Sequence, residues 1–117
     1  MLAASRSGKG RTALPRTLVF DEIDIGIGGR AAEAVGQRLK ALSRTQQVLC
    51  ITHLPQIAAF ADQHFLIEKS ELRGRTHTNI RRMEPDERVR EIARMLSGAT
   101  LTDTSLRHAE NLISATR

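Results

Sequence analysis

Two short apolar runs bracket a stretch with helical periodicity. Thr17–Phe20 is β-branched and aromatic, bounded on its N-terminal side by Pro15, and reads as a buried strand. In Arg30–Ser43 the apolar residues Ala31, Val35, Leu39 and Leu42 recur at helical spacing, with Arg38 and Lys40 on the other face, which predicts an amphipathic helix. Gln47–Ile51 is a second apolar strand. Strand, helix and strand in this order predict a βαβ unit with parallel strands and a right-handed crossover. Both strands then end on one edge of the sheet, the edge along which such folds bind ligands.

Beyond this unit, Pro55 stands where a helix can start, with Ile57, Ala58 and Ala61 as its apolar face. His64–Glu68 and Thr76–Arg82 read as the strands of a small hairpin turning around Gly74. Pro85 opens a further helix, with Asp86 and Glu87 in its first turn complementing the dipole. Its inward residues are Val89, Ile92, Ala93 and Leu96, and Gly98 stops it. A last helix near Thr104–Ala115 carries Leu106, Ala109, Leu112 and Ile113. Residues 1–16 are rich in Ala, Ser and Arg, and no acid precedes Asp21. That is the composition of an organelle transit peptide, but the segment is short for an amphipathic presequence. It reads instead as a helix end, Met1–Ser5, and a flexible linker, Arg6–Pro15, ahead of one folded unit over 17–117.

Composition narrows the picture. A chain of 117 residues supports one modest core, and with no Trp or Tyr and three Phe that core is built from Leu, Ile, Val and Ala. The net charge of +5 invites a nucleic-acid reading. The cations are dispersed among the acids, however, and only Arg73, Arg75, Arg81 and Arg82 cluster, with His77 between them. A solvated basic hairpin accounts for that cluster. The single cysteine, Cys50, excludes an internal disulfide, fits a reducing compartment and sits in an apolar run as a small buried hydrophobe. No apolar stretch reaches membrane-spanning length.

The chemistry gathers at the two strand ends. Asp21 and Glu22 follow the first strand directly, and Thr52 and His53 follow the second. An apolar strand ending in Asp-Glu is the Walker B pattern: the first acid holds Mg²⁺, and the second sits where an attacking water must lie. Gly26, Gly28 and Gly29 come next, a loop able to take positive φ and to let a phosphate or another chain approach. His53, on the same edge as the acids, is placed to meet a γ-phosphate. His64, His77 and His108 show no zinc-ligand spacing. Gly8-Lys9 is not a P-loop, because the pattern G-x-x-x-x-G-K-[ST] fails at Ala3 and Gly10. Leu96-Ser97-Gly98 resembles an ABC signature but follows the Walker B strand instead of preceding it, and reads as a helix stop.

These motifs together resemble the C-terminal lobe of the ATPase head of the RecN family, relatives of SMC and ABC-type ATPases. The resemblance rests on Thr17 through Ala32, on Val48 through Ala58, on Arg90 through Gly98 and on Thr102 to Ala109. It implies an α/β fold: a partial P-loop NTPase lobe with a parallel βαβ core, a small hairpin and C-terminal helices. It further implies that Asp21 binds Mg²⁺, that Glu22 is the general base and that His53 is the switch histidine. Ile25, Gly26, Ile27 and Gly28 become the D-loop, which in ABC transporters usually ends in Asp where this chain has Gly28. The implied cofactors are ATP and Mg²⁺. The implied partners are an N-terminal Walker A lobe, a second head joined as a homodimer through ATP, and DNA, with no membrane. The implied setting is recombinational repair of double-strand breaks in the cytoplasm, at the nucleoid. Met1-Leu2-Ala3 resembles the stretch after the family's signature motif, so the chain reads as a fragment that is incomplete alone. Two alternatives are a DExD-type helicase fragment, from Asp21-Glu22-Ile23-Asp24, and a non-catalytic basic nucleic-acid module built on Arg73–Arg82.

Overall fold

A parallel strand pair around one crossover helix organises the fold, as the apolar pattern predicts. The computed structural model describes residues 2–4, 16–23, 26–98 and 100–116. In chain order the elements are β1 (Leu2–Ala4), β2 (Thr17–Asp21), α1 (Gly29–Leu42), β3 (Gln47–Ile51), α2 (Pro55–Ala58), β4 (Gln63–Leu72), β5 (Arg75–Arg82), α3 (Pro85–Ser97) and α4 (Asp103–Ala115). The sheet order is β2-β3-β1-β4-β5. β2 and β3 are parallel, from Thr17 beside Gln47 to Asp21 beside Ile51. β1 lies antiparallel to both β3 and β4.

That placement of β1 corrects the helix end expected at Met1–Ser5. Leu2–Ala4 is a strand, and its backbone satisfies ladder groups of β3 and β4 that would otherwise stay unpaired. The linker expected over Arg6–Pro15 lies outside the described residues. The hairpin is longer than its apolar pattern indicates: β4 runs to Leu72 and pairs with β5 through the register Phe65–Arg82 to Leu72–Arg75.

Helix α1 turns a slightly different face to the core than its most apolar stripe. Ala32, Gly36 and Leu39 are buried, whereas Ala31 is exposed and Leu42 is 37% exposed. Close approach is the reason. A Cβ at Gly36 would overlap the ring of Phe60, so the absence of a side chain there lets the ring pack directly on the helix. The first core lies beneath α1, where Ala32, Leu39, Val48, Cys50 and Ile57 meet. A second core joins α2 to the C-terminal helices through Ala58, Ala59, Ile92, Ala93 and Ile113.

Both C-terminal helices carry the start signals that fix their ends. α3 begins with Pro85 and a capping box between Glu84 and Glu87, and Gly98 closes it at φ +82°. α4 begins with a reciprocal box in which Ser105 N donates to Thr102 Oγ1 at 3.0 Å and Thr102 N donates to Ser105 Oγ at 2.9 Å. No described helix is long and apolar enough to cross a membrane.

Candidate functional site

The site is an edge, and strand register makes it. Asp21 is the last residue of β2 and pairs with Ile51, the last residue of β3, so both strands deliver their next residues at the same level. Glu22 follows on one side, Thr52 and His53 on the other. Asp21, Glu22 and His53 are all solvent-exposed. The topology thus brings the two carboxylates and the imidazole to one edge from opposite ends of a crossover helix.

Local backbone geometry turns the chain at both exits. Glu22 has φ +60°, in the left-handed region that non-glycine residues enter at a cost of roughly 1–2 kcal/mol. It directs the chain out of the strand immediately after Asp21. In the glycine run only Gly26 has positive φ, at +77°. Gly28, expected to share that freedom, is extended (φ −93°) and serves as the N-cap of α1, its carbonyl accepting from Ala32 N at 2.8 Å. Asp24 and Ile25 lie outside the described residues. At the other exit the Thr52 hydroxyl accepts from Leu54 N at 3.0 Å, and Pro55 then starts α2 at its first position. Gln56 on α2 reaches the start of α1, its Nε2 3.9 Å from where a Cβ on Gly29 would stand.

Beside His53 the edge opens into a cleft of about 370 Å³ between the β3 exit, β4 and α3. Thr52 and His53 line one side, and Glu91, Arg94 and Met95 the other. Periodicity and motif spacing do not single out Glu91 and Arg94. Their one signal in the sequence is the i,i+3 pairing of opposite charges on the polar side of an amphipathic helix. In the structure Arg94 Nε donates to Glu91 Oε2 at 2.9 Å.

His64 also lines this cleft; it is 5% exposed, and its Nδ1 has no hydrogen-bond partner among the described residues. Burial, reinforced by the Arg88 charge and opposed by Glu91, lowers its pKa from 6.5 to about 4. The folded state therefore holds His64 neutral where the unfolded chain protonates it. Above pH 6.5 the group contributes no pH dependence. As pH falls from 6.5 to about 4 the unfolded chain takes up a proton that the folded chain refuses, and stability drops by on the order of 3 kcal/mol. Urea unfolding of the chain at pH 7 and pH 4.5 should show this loss. His64→Gln should remove most of it while leaving the carboxylate contribution in place; an unchanged pH profile in that variant would exclude His64 as its source.

The class that the fold defines is an α/β unit with a parallel βαβ core and a polar, acid-bearing edge. Comparison with known proteins narrows this further. The chain is 44% identical over all 117 of its residues to the DNA repair protein RecN of Streptomyces coelicolor. It is 47% identical over 91% of its length to RecN of Mycobacterium leprae, and 52% identical over 83% to RecN of Rickettsia prowazekii. It spans about a fifth of the length of these curated relatives, 18–20%. The chain belongs to the RecN family, as the motifs at Asp21 and His53 implied. No protein-family model matches it. The helicase alternative finds no counterpart among these relatives.

Proposed function

We propose that this chain is the C-terminal lobe of a RecN-type ATPase head acting in the repair of DNA double-strand breaks. One observation carries the proposal: the Asp21–Ile51 register of the parallel β2–β3 pair brings Asp21, Glu22 and His53 to one edge of the sheet. Its support is the RecN kinship, 44–52% identity in relatives that are themselves DNA repair proteins.

The residues fit a magnesium nucleotide. Asp21 ends a hydrogen-bonded strand and is exposed, so a hard oxygen ligand is held on a rigid element with room for metal-bound water. Bound Mg²⁺ would supply charge neutralisation to the phosphates of ATP. Glu22, next to that ligand, orients an attacking water and takes up its proton. His53 donates toward the γ-phosphate from the neighbouring strand end. By the family resemblance Ile25, Gly26, Ile27 and Gly28 would serve as the D-loop toward a second head; Gly28 also caps α1. The phosphate cradle of a Walker A lobe comes from outside these 117 residues, none of which form a P-loop.

The test compares two proteins. The 117-residue chain alone should release phosphate from Mg-ATP no faster than a buffer blank. A full-length RecN chain containing these residues should hydrolyse it, and Asp21→Asn should raise the Mg²⁺ concentration required, because the metal loses a charged ligand. Turnover by the isolated chain, or an unchanged Mg²⁺ requirement in the variant, would contradict the assignment.

A further inference from the structure

The β4–β5 hairpin is the part of the molecule that the edge chemistry leaves unused. From Ile67 to Arg82 every residue is exposed, so the hairpin leaves the cores and stands in solvent on both faces. Eight strand residues at about 3.3 Å each make β5 a ribbon roughly 26 Å long. Its base is anchored: Arg81 pairs with Glu87 of α3 at 2.5 Å and with Glu68 at 3.7 Å, and Met83 N donates to His64 O at 2.9 Å.

The two faces differ. Cross-strand partners share a face, so Ser70 and His77, Glu68 and Asn79, and Leu72 and Arg75 lie together with Leu66 and Arg81. On this face the one acid, Glu68, is already paired to Arg81. The rest of the face is Arg75 and the neutral hydrogen-bonding side chains Ser70, His77 and Asn79, with Leu72 at its end. The opposite face carries the apolar pair Ile67 and Ile80, and Glu71, which makes no ion pair among the described residues. It also carries Lys69 and Arg82.

The tip and the root extend the first face. Arg73 and Gly74 form the two-residue turn, with φ +53° and +74°. This is the pattern of the primed hairpin turns, in which Asn or Asp usually takes the first position. Here an arginine is held in the left-handed region, which puts a cation at the extreme end of the ribbon. At the root, Leu66 and Arg81 line a shallow groove with Arg90, and the two acids of that groove, Glu87 and Glu91, are held by Arg81 and Arg94. The first face therefore runs from Arg73 and Arg75 down to Arg90.

We propose that this face of the β4–β5 ribbon is a contact surface for the phosphate backbone of duplex DNA. Arg73, Arg75 and Arg90 bind phosphates, and Ser70, His77 and Asn79 offer hydrogen bonds between them. A two-stranded ribbon fits the major groove, which gives the arm a place to lie. The choice of DNA as partner rests on the repair reading above; the face itself rests on the register and the charges, and needs no nucleotide.

The test uses the purified chain without ATP and a fluorescent 30-base-pair duplex of arbitrary sequence, followed by anisotropy over a range of salt concentrations. Arg73→Ala combined with Arg75→Ala should weaken binding about tenfold and reduce the log–log salt slope by about 2, one for each phosphate that the variant leaves without its arginine. Lys69→Ala combined with Arg82→Ala removes the same charge from the opposite face and should leave the slope unchanged. Circular dichroism of both double variants establishes that the ribbon still folds. Equal losses in the two pairs would mean diffuse charge attraction and would overturn the assignment of a face, as would no loss in either. Competition by polyglutamate at concentrations that match unlabelled duplex would reassign the surface to acidic protein. The ATP reading stands or falls separately, because Asp21 and Glu22 play no part in this measurement.

Discussion

Glu22→Gln, in a full-length RecN chain containing these residues, should still bind ATP while hydrolysis falls by about 10²–10⁴-fold, the usual cost of losing a positioned acid–base group. Gln keeps the size of the side chain and its hydrogen bonding but cannot accept the proton of an attacking water. Asp21, the proposed Mg²⁺ ligand, is untouched one residue earlier. On the proposed mechanism, in which two heads engage across ATP and part after hydrolysis, the variant should accumulate an ATP-dependent dimer. Two measurements together decide the matter: phosphate release, and the dimer fraction by light scattering with and without ATP. Hydrolysis at the parental rate would remove Glu22 from the mechanism. Loss of ATP binding would show that Glu22 acts on the metal or the fold, since a pure general base has no role in the ground-state complex.

The largest expected stability effect is at Ile57, the fully buried residue of a four-residue helix. Its side chain packs in the core beneath α1, while its neighbours Ala58 and Ala59 pack in the core formed by α3 and α4. Few backbone hydrogen bonds hold so short a helix, so its position depends on what its side chains bury. Ile57→Ala should cost about 2–5 kcal/mol through lost transfer energy and the cavity left behind. Against a total stability of roughly 5–15 kcal/mol for a domain, that loss should lower the urea midpoint sharply. Leu72→Ala, at a side chain that is 60% exposed on the hairpin, should stay within about 0.5 kcal/mol. If the two variants unfolded at the same urea concentration, α2 would not be the link between the two cores.

Elements whose signals are local could be read from the residues alone. The β2–α1–β3 unit, Pro55 at the first position of α2, the acidic first turn of α3 and its stop at Gly98 all follow from periodicity and end signals that act within a few residues. The edge holding Asp21, Glu22 and His53 was legible for the same reason: two parallel strands joined by a crossover end on the same side whatever the loops do. Contacts between distant segments set the rest. The inward face of α1 is set by how closely Phe60 approaches Gly36, a contact between residues whose own periodicities do not mention each other. Leu2–Ala4 is a strand because β3 and β4 offer it ladder partners, and the local composition, which suggested a helix end, cannot register that offer. The burial of His64 likewise depends on distant segments, among them β1, which pairs with it at Leu2. Hydrogen bonding and periodicity within a segment are written in its own residues, whereas desolvation depends on which other segments come to cover it.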